Sequence, residues 1–358
     1  MAYISYDSPQ YKYRSFASLF RPLCLTSSLD IQNSVSFTTT HQLSNKMSSS
    51  TTTTTTTTTP PKFEVKATDW DRTAASYAQL ATQGSPMSVP ITKLVEMLHT
   101  LSPFSTATTI LDIGCGPGSA TSQLISTHHN ILPSNTQLLA TDFSRGMVSI
   151  VQQVRDFKLE NLQEGTEKST WTRVVPLVMD AQDLRPLLDD SVSHIIANFV
   201  LFMTNNPPKA LQEAHRVLKS GEVFALSSWH RMDWLDYLVI AASHVFPALG
   251  KPTPQKPEFP VQWASVDGVR DLLKDAGFKN VQLETVGAPI VMPKVEASVH
   301  AFLTSGNPAV TWITDVLEDN EVEEVEKQLV KVVKEKCEVN DKGAHILNGT
   351  AILAICHK

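Results

Sequence analysis

The segment Ile110-Leu-Asp-Ile-Gly-Cys-Gly-Pro-Gly118 constrains this chain more than any other. An apolar β-type run ends at Asp112. Glycines at 114, 116 and 118 then lead into a stretch of helical periodicity that starts near Ser119. A residue without Cβ lets the chain turn sharply and lets a ligand come close to its backbone. Three alternating glycines within five positions exceed what a tight strand-to-helix turn needs, so the turn is read as a ligand cradle. A dinucleotide-binding turn has the spacing GxGxxG and presents free N–H groups to a pyrophosphate. Here the spacing is GxGxG with a carboxylate before it. Asp112 would repel a pyrophosphate and suits a ligand that carries a positive amino group.

On either side of this turn the chain alternates between two periods. Apolar positions at helical spacing over 67–100 (Ala74, Tyr77, Leu80, then Ile91, Leu94, Val95, Leu98) predict two helices before the first strand. Strands are predicted at 108–113, 137–142, 174–179, 194–199 and 223–228, with helices at 119–128, 144–157 and 207–218 between them. In the second of these helices Met147, Ile150, Val151, Val154 and Phe157 share one face. Strands alternating with helices over this length predict an α/β fold built on a parallel, doubly wound sheet. Residues 229–263, rich in aromatics and proline, read as irregular cover rather than another βα unit. Ser265 as N-cap and Gly277 as C-terminal stop bracket a further helix. A strand near 280–285, an amphipathic helix over 321–336 and a closing strand at 351–356 complete the pattern.

The glycine turn resembles the first motif of class I S-adenosylmethionine-dependent methyltransferases, in the small-molecule branch with D-x-G-C-G-x-G. Other positions agree, from about Asp69 to Lys358. Leu139-Ala-Thr-Asp-Phe-Ser-Arg-Gly-Met147 resembles the family's D-x-S-x-x-M, and Met179-Asp-Ala-Gln-Asp-Leu184 its D-A-x-x-L. Glu213-Ala-His-Arg-Val-Leu-Lys-Ser-Gly221 is similar to E-x-x-R-V-L-K-P-G, with Ser220 in place of proline. Trp70-Asp-Arg-Thr-Ala-Ala-Ser-Tyr77 resembles a segment that folds over the bound cofactor. The resemblance implies a seven-stranded Rossmann-like sheet with N-terminal lid helices and S-adenosyl-L-methionine as cofactor. It implies a cofactor site made of Tyr77, Asp112, Gly114, Cys115, Gly116, Gly118, Asp142, Phe143, Met147, Asp180, Ala181, Asn198 and Phe199. In that site Asp142 would accept the ribose hydroxyls, Phe143 would pack on adenine, and Asp180 with the Ala181 backbone would meet the adenine edge. Asn198 and Phe199 would stand at the methionine moiety. Helix N-capping is the competing role for Asp142, and a core position is the competing role for Tyr77. The longer distance from Gly118 to Asp142 is read as a loop insertion at 130–135.

Composition sets the limits. Of 358 residues, the first 60 hold 25 Ser or Thr, nine of them consecutive at 51–59, and only six charged residues. Such a stretch buries too little apolar surface to offset its ordering entropy, so 1–61 is expected to be a disordered tail. It is read as a dispensable extension, with Met47 a possible alternative start and organelle targeting the competing role. The rest carries 26 basic and 34 acidic residues, a net charge near −8. That excludes the basic face a nucleic-acid partner needs and favours a small neutral or cationic, partly apolar acceptor. The longest mostly apolar run, 195–203 with Asn198 inside it, is about half the roughly 20 residues of a spanning helix. Four cysteines without CxxC or CxxH spacing give no metal site and suit a reduced, cytoplasmic setting.

Within 62–358, the expected roles are lid helices (67–100), cofactor core (105–228), acceptor-site cover (229–263) and C-terminal sheet closure (264–358). Methyl transfer from a sulfonium needs alignment and exclusion of water, and a base only when the acceptor arrives protonated. His230 is the one weak candidate for that base, with a plain surface histidine as the competing role. Trp229, Trp234, Tyr237, Phe246, Phe259 and Trp263 either wall the acceptor pocket or seal the edge of the sheet. A catalytically silent cofactor-binding domain and a nicotinamide-dependent oxidoreductase are the alternative functions.

Overall fold

The computed structural model describes residues 65–82, 85–256 and 259–358, so the expected tail lies outside the described residues. The apolar runs become seven strands: β1 (Thr109–Ile113), β2 (Gln137–Asp142), β3 (Val174–Val178), β4 (Val192–Asn198), β5 (Leu218–Met232), β6 (Lys279–Gly287) and β7 (Gly349–His357). Their order across the sheet is β3-β2-β1-β4-β5-β7-β6. The first five are parallel, and β7 runs antiparallel between β5 and β6. β1 and β4 are buried almost throughout. Burial on both faces is why consecutive apolar residues, Ile110-Leu111 and Ile195-Ile196-Ala197, replace a strict alternation there. The chain order reverses between β1 and β4. In an open α/β sheet such a reversal leaves a crevice at the carboxyl ends of the strands.

The helices preceding and linking these strands are α1 (Ala67–Thr82), α2 (Ser88–Leu101), α3 (Ser119–His128), α4 (Arg145–Asn161), α5 (Thr166–Trp171) and α6 (Pro207–Val217). α5 carries no sequence signal, because six residues are too few to show a period. Residues 129–136 form the connection between α3 and β2, where the insertion was expected, and Thr136 Oγ donates to Ala107 O at 2.7 Å to tie it back to the start of β1. Ser144 caps α4, accepting the Met147 N–H at 3.1 Å. α4 then buries Met147, Val148, Ile150 and Val151.

Residues 229–263 depart from the expected irregular cover. β5 continues to Met232, and α7 (Asp233–Ala248) follows directly. Its buried positions, Leu235, Leu238, Ala241, Ala242, Val245 and Phe246, have the i, i+3, i+4 spacing of an amphipathic helix. The density of aromatics around them hid that stripe. After α8 (Val266–Asp275), capped by Ser265 as expected, come α9 (Val295–Leu303), α10 (Pro308–Thr314) and α11 (Asp319–Lys336). With α7 and a small sheet of Ile290–Met292, His345–Leu347 and Glu338–Val339 they enclose a second apolar core, distinct from the one around the main sheet. α11 turns Val325, Leu329 and Val333 into that core, and its first-turn acids and last-turn lysines suit the helix dipole.

Candidate functional site

The loops leaving β1, β2, β3 and β4 at their carboxyl ends surround a cavity of about 230 Å³, roofed by α1. Its floor is the glycine turn. Gly114 and Gly116 have φ of +60° and +52°, which glycine adopts without strain. A Cβ on Gly114 would lie 2.2 Å from the Val200 side chain, whereas one on Gly116 would meet nothing within 4 Å. Gly114 is therefore demanded by packing, and Gly116 keeps the cavity open above its backbone.

Two carboxylates flank this turn. Asp112 is buried at the end of β1. Its Oδ2 accepts the Thr121 N–H at 3.1 Å and the Thr121 hydroxyl at 2.7 Å, while its Oδ1 is buried without a partner among the described residues. Burial pushes its pKa up to about 7, against the two Thr121 bonds, and the nearby Asp142 adds to the rise. Asp142 ends β2; its Oδ2 accepts the Gly116 N–H and its Oδ1 the Ser144 N–H, both at 2.9 Å. It does not cap α4, because Ser144 does. Burial raises Asp142 to about 6, with the backbone bonds from Ser144 and Gly116 opposing. A carboxylate has about four lone-pair sites, so both groups keep acceptor capacity toward the cavity.

A third carboxylate, Asp180, follows β3 and accepts the Gln182 N–H at 2.8 Å and the Gln182 side-chain amide at 3.0 Å. Its neighbour Asp183 faces solvent and pairs with Arg185. At the end of β4, Phe199 is held at φ +53°, an uncommon conformation for a bulky residue. Its ring stacks on Trp229, centroids 4.4 Å apart. α1 is fastened above these loops by Asp71, whose Oδ1 accepts the Ser144 hydroxyl at 2.6 Å and the Gly146 N–H at 2.8 Å. Burial pulls the Asp71 pKa up, but the bonds from Gly146 and Ser144 hold it below the usual range. Trp70 and Tyr77 meet edge to face at 5.2 Å, and the Tyr77 hydroxyl reaches Met87 Sδ at 3.7 Å. Burial pushes that phenol up to about 12.

All the residues expected at the cofactor line this cavity except Gly118. Gly118 instead starts α3, at φ +85° against Val151. His230 does not reach the cavity. It sits exposed near the end of β5, with Nδ1 2.8 Å from Ala264 O. None of the six aromatics of 229–263 lines the cavity either. Trp229 backs Phe199, Phe259 and Trp263 pack on Phe202, and Trp234, Tyr237 and Phe246 belong to the second core. Met87, Gln182, Val200, Met203 and Asn205 also line the cavity, unexpected from the sequence. Val200 and Met203 continue the apolar run that ends β4, which was the available signal. The described lining residues include three aspartates and no Lys, Arg or His.

A family model described as a methyltransferase domain matches residues 111–226. Over 228 residues the chain is 35% identical to methyltransferase ucsB of an Acremonium species, covering 64% of this chain and 74% of that protein. It is 30% identical over 191 residues to acetylaranotin bis-thiomethyltransferase of Aspergillus terreus, covering 52% of this chain and 59%, under two thirds, of that protein. Among solved structures it is similar to phosphoethanolamine N-methyltransferase 2 of Haemonchus contortus (TM-score 0.46, 13% identity, 82% of this chain and 60% of that one). The likeness to the Acremonium protein and the matched domain together show that the chain belongs to the class I S-adenosylmethionine-dependent methyltransferases that act on small molecules.

Proposed function

We propose that S-adenosylmethionine lies in the acidic cavity, and that the methyl acceptor enters beside it under α1. One observation supports this reading above the others: a buried carboxylate oxygen, Asp112 Oδ1, has no partner in a cavity with three aspartates and no described cationic side chain. An unpartnered buried charge is costly, and a ligand bearing ammonium and sulfonium charges relieves that cost. A pyrophosphate would raise it.

In this assignment Asp112 faces the ammonium, and Asp142 accepts the ribose hydroxyls with the oxygen sites left by Gly116 and Ser144. Phe143 and Met147 flank adenine, while Asp180 and the Ala181 backbone meet its amino edge. The Gly114-Cys115-Gly116 backbone runs under the ligand, and Asn198 and Phe199 stand at its amino-acid end. When bound, the cofactor supplies an electrophilic methyl on sulfur. The chain's own contribution is to align the acceptor and exclude water. Trp70, Tyr77, Met87, Val200 and Met203 give the cavity its apolar side. With three carboxylates opposite, they favour a neutral or cationic, partly apolar acceptor.

Residues 67–100 act here as the lid and 105–228 as the cofactor core. The acceptor faces α1, Met87 and the loop after β4, with 229–263 one layer behind through Trp229 and Phe259. The name of the Aspergillus terreus relative specifies thiol methylation, so sulfur joins oxygen, nitrogen and carbon as a nucleophile to test. A reduced, cytoplasmic setting accords with the unpaired thiols of Cys115, Cys337 and Cys356.

The test is a panel of thiol, phenol, amine and carboxylate acceptors, read by release of S-adenosylhomocysteine. Turnover is expected with apolar neutral or cationic members. Turnover confined to polyanionic acceptors would contradict the acceptor assignment.

A further inference from the structure

The cross-strand partner of Asn198 is Ser227 on β5. Ser227 is buried and does not line the cavity. Its Oγ accepts the Phe199 N–H at 2.9 Å, and its hydroxyl donates to Asn198 Oδ1 at 2.8 Å. The direction of this relay follows from the partners available. A backbone N–H can only donate, so Ser227 Oγ accepts from Phe199, and its own proton then needs an acceptor. Asn198 supplies one only if its amide oxygen, not its nitrogen, faces Ser227. The relay therefore turns the Asn198 NH2 away from Ser227 and leaves its hydrogens without a partner among the described residues. The same serine anchors the backbone of Phe199 in its positive-φ conformation.

The other amide and hydroxyl donors around the cavity are mostly engaged. Gln182 gives its hydrogens to Asp180, Asn205 donates to Val65 O, Thr204 to Leu201 O, and Tyr77 to Met87. Among the described side chains of the lining, Asn198, the hydroxyl of Ser119 and the indole N–H of Trp70 remain. The three aspartates are acceptors suited to ammonium, hydroxyl and amino groups, and a carboxylate in the same ligand finds no use for them.

We propose that Ser227 is a positioning residue that fixes Asn198 as a hydrogen-bond donor for the carboxylate of the bound cofactor. The serine thereby sets selectivity for the amino-acid end of that ligand. This rests on the cofactor placement above. The prediction concerns discrimination between S-adenosylmethionine and its decarboxylated analogue, which keeps the sulfonium, the amine and the adenosine.

Calorimetric titration of both ligands into the full chain provides the test. Wild type should bind S-adenosylmethionine about 10-fold or more tighter than the analogue, as for one charge-assisted hydrogen bond. Ser227→Ala and the neutral Asn198→Leu should each bring that ratio close to one while the analogue's own affinity stays within about threefold, since only the carboxylate contact is lost. A purely structural role would weaken both ligands together and leave the ratio unchanged. If Ser227→Ala fails to fold, Asn198→Leu decides alone, because it removes the cavity-facing donor without adding charge. Retention of the wild-type ratio in Asn198→Leu, or its loss in Ser119→Ala instead, would overturn the proposal. Wild type that binds neither ligand would refute the cofactor placement itself, a different result.

Discussion

Replacing Asp112 by asparagine separates its charge from its shape. The asparagine carbonyl can keep both Thr121 bonds, at 3.1 and 2.7 Å in the wild type. The change then falls on the second oxygen, which has no partner among the described residues and becomes an NH2 pointing where a cation is expected. Loss of a hydrogen bond to a charged group is worth about 1.5–3 kcal/mol, so S-adenosylmethionine should bind about 10- to 150-fold more weakly. The pH dependence carries a second signature. In the free protein the Asp112 carboxyl holds its proton up to about 7, whereas a bound cation favours the ionised form. Binding therefore releases a proton, and wild-type affinity should rise with pH between about 6 and 7.5, below the range where an α-amino group titrates (about 7.7–8.0). The asparagine variant should lose most of that rise, with the Asp142 carboxyl, near 6, keeping a smaller part at the acid end. Stability should move the other way. The folded carboxyl titrates near 7 and the unfolded one near 3.8, so the wild type loses stability as pH rises through that interval, and the variant does not. Calorimetry at several pH values together with denaturant unfolding at pH 8 tests all of this. A variant that binds within twofold of wild type, or that follows the same pH profile, would refute the role assigned to Asp112.

Two further perturbations probe the scaffold. His194 is buried beside Ser193 and Ser102, and burial lowers its pKa from 6.5 to about 4. The unfolded chain therefore binds an extra proton in this window, and the stability the neutral imidazole contributes is present above about 6.5 and lost as pH falls toward 4. His194→Gln should shrink the stability difference between pH 7 and pH 4.5 by about 2–3 kcal/mol, measured by urea unfolding; an unchanged difference would exclude a buried neutral imidazole. Asp71→Ala removes the acceptor that fastens α1 to Ser144 and Gly146. Amide exchange over 67–82 should accelerate by the equivalent of about 1–3 kcal/mol, and cofactor dissociation should quicken in stopped flow, whereas unaltered exchange would show that α1 is held elsewhere.

Much of the site could be read from the sequence because local rules dictate it. Glycines at positive φ, a carboxylate ending each of β1 and β2, and apolar strands alternating with helices all leave short-range marks. β2 and α3 take the expected bounds for this reason. What escaped was set by packing over distance. α7 carries a helical stripe, yet its aromatics serve a second core assembled with α9 to α11, some 50 to 90 residues onward. Met87 and Asn205 reach the cavity only because α1, α2 and the loop after β4 converge there, and nothing local marks either residue. His230 shows the opposite error. Its place just past the expected end of β5 suggested the active site, but the strand runs on to Met232 and carries the imidazole out to Ala264.

The placement of the cofactor over the glycine turn is tested most directly by calorimetric titration of S-adenosylmethionine into wild type and Gly116→Val. Gly116 has φ +52° and open space where a Cβ would project, so valine both strains the turn and fills the ligand's approach. The expected result is saturable binding to wild type and none to a folded Gly116→Val. Wild-type affinity in that variant would contradict the placement.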